Sequence, residues 1–241
     1  MKVFVVGGSG DVGTLVLPTL QERFEVCVYD LLPPRVAGVD YVEGSVTDYE
    51  SLLAAMQGYD RLLYLAMGTK RPDVWNRVEA AVSHFDVNVK GVYLALNAAH
   101  AAGISHAVHA SSMSVYDPLS GRLFPDEGLI PDSSELYGFT KRLGEECCRV
   151  ACRKEGMSVN ALRLCLPVSA EVWHERVAAK AGAPFLETEA TDVARAMIAA
   201  LEFPFGGFEA FTICGDWQER QMHLAKAKRL LGWEPLMRPL A

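Results

Sequence analysis

The apolar positions of this chain fall into two textures that alternate along its length. Val3-Phe-Val-Val6 is short, continuously apolar and β-branched, the pattern of a strand buried on both faces of a parallel sheet. Comparable runs recur at Glu25–Asp30, Tyr41–Glu43, Arg61–Ala66, His106–Ser111 and Ser158–Arg163. The stretches between them carry helical periodicity: about Val12 to Glu22, Asp48 to Met56 with Asp48 as cap, Asp86 to Ala102, and Ser133 or Ser134 to Glu155. Strand and helix alternate throughout, which predicts an α/β fold with a doubly wound parallel sheet.

The texture changes after Pro167. Helical stretches at Glu171–Ala181 and Thr191–Leu201 bracket a loop, Ala210–Cys214 reads as a short strand, and a last helix is expected over Gln221–Leu231 before Gly232-Trp-Glu-Pro235. No repeat, low-complexity tract or flexible linker interrupts the chain. The expected division is a core over residues 1–165 and a small substrate-side region over 166–241 packed on that core.

At 241 residues, half of them apolar, the chain can bury a large core. Its net charge of −7 offers no broad basic field, which argues against a nucleic-acid partner or an anionic membrane surface. Lys70-Arg71 and Lys226-Ala-Lys-Arg229 are short and read as solvated faces. No run approaches the roughly 20 apolar residues of a membrane span. The six cysteines have neither disulfide-framework nor zinc spacing, and the start is no signal peptide, so a reducing cytoplasm is expected. No metal site is expected either, because His84, His100, His174 and His223 share no ligand spacing with acids or cysteines.

Candidate chemistry begins at Gly7-Gly-Ser-Gly10-Asp-Val-Gly13, a glycine turn between strand and helix. Such a turn lets a pyrophosphate approach backbone N–H groups and the positive end of a helix. Its G-x-x-G-x-x-G spacing is looser than the strict dinucleotide fingerprint. Asp30, ending the next strand, adds weight: an acid there accepts hydrogen bonds from a ribose diol and repels a 2′-phosphate, favouring NAD over NADP. Arg35 nearby leaves some room for NADP. Further along, Tyr137 and Lys141 lie one helical turn apart on one face, downstream of Ser111-Ser112.

Taken in this order, the motifs resemble the extended short-chain dehydrogenase/reductase superfamily, its NAD-dependent epimerase/dehydratase branch above all, and loosely the uronate dehydrogenases. Gly7, Gly10 and Gly13, with Asp11 and Val12 between them, match the cofactor loop. Gly44-Ser-Val-Thr-Asp48 is similar to the segment that contacts adenine through Ser45 and Val46, although Ser45 replaces the usual acid. Leu65-Ala-Met-Gly68 matches the turn along which the cofactor lies, so Leu65, Ala66 and Met67 are expected contacts. Asn88 matches the helix asparagine, whose role is largely structural, and is expected among the cofactor contacts as well. Ser111-Ser-Met-Ser-Val-Tyr116 resembles the S-S-x-x-V-Y-G segment, with Asp117 in place of glycine. That alignment makes Ser112 the catalytic serine and Ser111 the runner-up. Thr191 or Asp192 is expected to cap a recurrent helix, and Ala227–Pro235 matches a common ending.

The resemblance implies a Rossmann fold, an NAD cofactor, and a Ser112–Tyr137–Lys141 centre. There Tyr137 removes a hydroxyl proton as hydride passes to nicotinamide, and Ser112 orients that hydroxyl. Lys141, together with the positive nicotinamide, lowers the phenol's pKa and, with Tyr137, contacts the cofactor ribose. The short tail points to a small carbohydrate-type substrate such as a sugar, sugar acid or polyol. Two other readings stand beside the dehydrogenase: an epimerase or dehydratase that retains NAD, and a non-enzymatic NAD(P)-sensing regulator. A homodimer through the long helices is typical of the resemblance. His106 and His109 read as structural, Arg71 and Trp75 as loop residues near a ligand crevice, and Glu145 and Glu146 as exposed or interfacial helix.

Overall fold

Alternation of apolar side chains along β1 (Lys2–Val6) sends Val3 and Val5 to one side and Phe4 and Val6 to the other, and each pair enters a separate core. A sheet with two buried faces follows from that alone. The computed structural model describes residues 1–71, 73–74, 77–179 and 184–239. Seven parallel strands run in the order β3-β2-β1-β4-β5-β6-β9, with β2 at Glu25–Asp30, β3 at Asp40–Glu43, β4 at Arg61–Tyr64, β5 at His106–Ser112, β6 at Ser158–Leu164 and β9 at Gly207–Ile213. Order reverses at β1, which pairs with β2 on one side and β4 on the other, and a ligand crevice opens there.

One face is covered by α1 (Asp11–Gln21) and α7 (Ala190–Glu202), whose Val16, Leu17, Leu20, Val193 and Met197 meet Val3, Val28 and Val108. The other is covered by α2 (Tyr49–Ala55), the helical stretch from α3 (Val78–Phe85) to α4 (Val92–Ala101), and α5 (Leu136–Glu155). The Asp48 carboxylate caps α2 by accepting from the Ser51 N–H at 3.1 Å, as its sequence position implies. Between α3 and α4 the backbone widens into a π-helical segment, Asp86–Gly91, so the expected helix over residues 86–102 is part of a longer one.

Several expectations about the tail change. β9 is longer than the run at 210–214 and joins the main sheet by pairing with β6 from Ser158↔Gly207 to Leu164↔Ile213. A minor pair, β7 (Pro167–Val168) and β8 (Thr188–Glu189), flanks α6 (Ala170–Ala179); the end of the helix expected to reach residue 181 lies outside the described residues. The last helix begins later than expected, at residue 225, and its Ala227–Leu231 part is π-helical. The residues expected to begin it are extended instead: the buried Asp216 carboxylate accepts from the Gln221 and Met222 N–H groups, and Met222 bridges to Phe124. Neither Thr191 nor Asp192 caps α7. Glu189 does so, accepting from the Thr191 N–H at 2.7 Å. Asp192 turns inward and accepts from the N–H groups of Leu236 and Met237, while its carbonyl takes the Trp233 indole N–H at 2.8 Å, pinning the tail to α7.

Candidate active site

A cleft of about 860 Å³ runs along the carboxyl ends of β1, β2, β4, β5 and β6. Its floor is the glycine turn. Gly7, at φ 82°, passes so close to β4 that a Cβ would stand 2.3 Å from Ala66 Cα. Gly10 begins α1 without a side-chain cap, so the first-turn N–H groups of this helix face the cleft with no side-chain acceptor. That arrangement fits the diphosphate of a dinucleotide. Asp11 and Val12 also line the cleft. Gly13 does not: a Cβ on it would lie 2.0 Å from the Gly8 carbonyl oxygen, so its task is close packing of α1 onto the turn.

At one end of the cleft Asp30 projects from β2. Its carboxylate accepts from the Ser9 N–H at 3.0 Å and the Leu31 N–H at 2.7 Å, and the Ser9 hydroxyl donates to the Leu32 carbonyl at 2.5 Å. The acid is thereby held at the rim where a ribose would lie. Leu31 and Leu32 are exposed beside it, an apolar rim that the sequence reading missed. Ser45 and Val46 line this end as well, but the Ser45 hydroxyl is turned into its own loop, 2.9 Å from the Thr47 hydroxyl and accepting from the Thr47 N–H. The replacement of an acid at this position is thus absorbed locally.

Leu65, Ala66 and Met67 form the next wall. Asn88 was expected among the cofactor contacts and is instead buried behind that wall. Its carbonyl accepts from the Gly68 N–H at 3.0 Å, and its amide bonds His84 Nδ1 and the Thr140 hydroxyl. The π-helical segment turns it inward, and it braces the Leu65–Gly68 turn against α5. Lys70, read from sequence as a solvated charge, lines the cleft and pairs with Asp11 at 3.0 Å across the diphosphate end. Arg71 is exposed and paired with Asp73; Trp75 lies outside the described residues.

The other end carries the reactive groups. β5 delivers Ser111 and Ser112, and α5 delivers Tyr137 and Lys141; all four line the cleft. The two serines diverge. Ser111 donates to Glu145 Oε1 at 2.7 Å, away from Tyr137, whereas Ser112 lies beside the Tyr137 phenol and accepts from the Ser114 N–H at 3.1 Å. The phenol also meets the His84 ring edge to face, with centroids 5.9 Å apart. Burial raises its pKa above the ordinary 10, and Ser112 works against that rise. Lys141 is 3% exposed and donates to the Ala110 carbonyl at 2.8 Å; burial lowers its pKa to about 8. Its ammonium is 6.0 Å from the Tyr137 ring centroid. In the protein alone burial therefore outweighs the influences that lower the phenol's pKa, and the expected lowering counts on the nicotinamide's charge as well as that of Lys141.

Met113, Leu119, Leu166 and Pro167 complete the reactive end, and none of them was singled out from sequence. Leu166 has φ 42°, a left-handed conformation that costs a branched side chain energy and turns the chain across the cleft mouth. His106 is structural as expected, its ring nitrogens 3.0 and 2.8 Å from the Ser158 and Ala200 carbonyls; His109 is likewise buried in the core. Glu146 is exposed, but Glu145 is not: at 1% exposure it faces the sheet and binds Arg163 through both oxygens at 2.9 Å. No cluster among the described residues could hold a metal ion, and no helix among them is long and apolar enough to cross a membrane.

The family model for the NAD-dependent epimerases and dehydratases matches residues 3–187. An N-acetyl-α-D-glucosaminyl-diphospho-ditrans,octacis-undecaprenol 4-epimerase of Escherichia coli O157:H7 is 31% identical over 61% of this chain. The match spans 43% of that relative's length, under half of it. An L-arabinose 1-dehydrogenase (NAD(P)(+)) of Haloferax volcanii is 25% identical, covering 73% of this chain and 71% of its own. A UDP-glucose 4-epimerase of Thermotoga maritima, solved with UDP-glucose, superposes over 99% of this chain and 94% of its own with TM-score 0.79 at 18% identity, a likeness of fold. With its family model matched from the first strand to the loop before β8, the chain belongs to the NAD-dependent epimerase/dehydratase family, enzymes of the short-chain dehydrogenase/reductase type with NAD as cofactor.

Proposed function

We propose that this protein is an NAD-dependent oxidoreductase that moves a hydride between the carbon bearing a carbohydrate-type hydroxyl and the nicotinamide, with Tyr137 as base for the hydroxyl proton. The observation that carries the reading is the meeting of Ser112, Tyr137 and Lys141 at one end of a cleft whose other end is Asp30. Gly7, Gly10, Asp11 and Val12 would hold the diphosphate, Asp30 the adenosine ribose, and Leu65–Met67 the flank of the cofactor. Bound NAD supplies the hydride acceptor. Ser112 fixes the substrate hydroxyl beside Tyr137, which takes its proton, and the protonated Lys141 provides positive charge to the phenolate. A raised phenol is a weak base, so the tyrosine works best where further positive charge arrives with the cofactor.

A small sugar, sugar acid or polyol is the proposed substrate class, and the Haloferax relative named for L-arabinose supports it. The alternative is an epimerase or dehydratase cycle with NAD retained, which the same residues would serve and which the Escherichia relative's name supports. A screen of NAD and NADP against free sugars, sugar acids and nucleotide sugars separates the two. Net NADH formation that Tyr137→Phe abolishes is the expected result. Protein that keeps NAD through purification and releases no NADH with any of these compounds would overturn the dehydrogenase reading.

A further inference from the structure

Tyr137, Lys141 and Glu145 succeed one another at single-turn spacing along α5, so all three share the face turned to β5 and β6. The third is a carboxylate, a residue type that a helix normally leaves in solvent. It is held by donors from two strands, the Ser111 hydroxyl on β5 at 2.7 Å and Arg163 on β6 with two bonds at 2.9 Å, and forms a looser ion pair with Arg149 on α5 at 3.7 Å. Arg163 is itself held away from the cleft, donating at 2.5 Å to the Tyr116 hydroxyl and at 3.3 Å to the Glu127 carbonyl.

Stability does not account for this group. A buried ion pair is often no better than well-packed apolar side chains, because desolvation cancels its attraction. A fixed carboxylate one turn from Lys141 does have an electrostatic consequence. The ammonium is buried, with a backbone carbonyl as its hydrogen-bond partner. The other groups facing it offer little help: Lys70 from the cleft wall repels it, while His84 on α3 and His109 on β5 are buried imidazoles that burial holds neutral. Cys148 on α5 is a buried thiol whose pKa burial raises, so it carries no charge near neutrality. Among these neighbours Glu145 is the fixed anion.

We propose that Glu145 is a positioning residue whose buried carboxylate, clamped by Arg163 and Ser111, keeps Lys141 cationic. The inference rests on the proposed Ser112–Tyr137–Lys141 centre, because it gives that centre's lysine its working charge. The test is a direct titration of Lys141 by NMR of lysine-labelled protein, its signal assigned with Lys141→Arg, in wild type, Glu145→Gln and Glu145→Asp. Loss of one unit charge one helical turn away should lower the titration midpoint in Glu145→Gln by about 0.5–2 pH units, with Glu145→Asp staying near wild type. If Glu145→Gln fails to fold because Arg163 is left unpaired, Glu145→Gln/Arg163→Gln replaces it, with the same direction expected. An unmoved Lys141 midpoint in either folded variant overturns the proposal. A merely structural carboxylate would change the melting temperature and leave that midpoint in place. Since the readout is a titration, failure to turn over any alcohol would sink the proposed reaction while leaving this result standing.

Discussion

Replacing Lys141 by methionine should make the cofactor-free protein more stable near neutral pH and less stable in strong base. Burial lowers the pKa of this ammonium from 10.5 to about 8. At about 1.4 kcal/mol per unit, the folded chain carries a cost of about 3 kcal/mol wherever the lysine is charged in both states. The folded pKa lies below the unfolded one, so the folded state binds fewer protons between about pH 8 and 10.5, and wild-type stability rises with pH through that window. Below it the cost is present in full; above it the cost is gone. Methionine removes the charge and fills similar space, but abandons the Ala110 carbonyl that Lys141 holds at 2.8 Å, a loss of about 1–2 kcal/mol. The variant should therefore gain about 1–2 kcal/mol near pH 7 and lose about as much above pH 10.5. Urea unfolding of NAD-stripped wild type and variant at both ends of the window measures this, and titrations elsewhere cancel in the difference. A stability difference independent of pH would refute the reasoning. A gain near neutrality would mean that the site holds a charge which folding alone does not favour, as active sites commonly do.

Gly13→Ala should cost about 2–4 kcal/mol and weaken NAD binding, because its Cβ would meet the Gly8 backbone at 2.0 Å and neither side can yield; thermal melts with and without NAD check both effects. Asp30→Ala should relax cofactor choice, improving NADP relative to NAD by about tenfold or more in a binding titration, since the acid that repels a 2′-phosphate is gone. Asp192→Ala should lower stability by about 2–4 kcal/mol in urea unfolding and free the tail for proteolysis, as it strips the acceptor from the Leu236 and Met237 N–H groups. Leu166→Gly should stabilise the protein by up to about 1 kcal/mol by relieving a left-handed leucine, with unchanged or lower stability counting against strain at the cleft mouth.

What could be seen in the sequence was whatever a residue announces through its immediate neighbours. Strands buried on both faces need continuous apolar runs, so β1, β2, β5 and β6 were plain within a residue or two. Asp48 caps α2 because a cap is a local hydrogen bond. The glycine turn, Asp30 and the Tyr137–Lys141 step belong to the same class, and the fold brings them to one cleft. The misread residues have partners far along the chain. Asn88 is turned inward by a π-helical widening that no propensity signals, and Asp192 is claimed by a tail more than forty residues away. Asp216 undoes the start of an otherwise well-formed helical pattern through two N–H groups. Glu145 is the sharpest case. On an amphipathic helix a glutamate beside Glu146 reads as solvated, and Arg163, delivered by β6 from the sheet under α5, makes its burial possible. The acid and the arginine would each be too costly to bury alone, so neither position could be read without the other. Local motifs thus locate the reacting groups, whereas the charges that set their protonation are fixed by pairs that exist only in the fold.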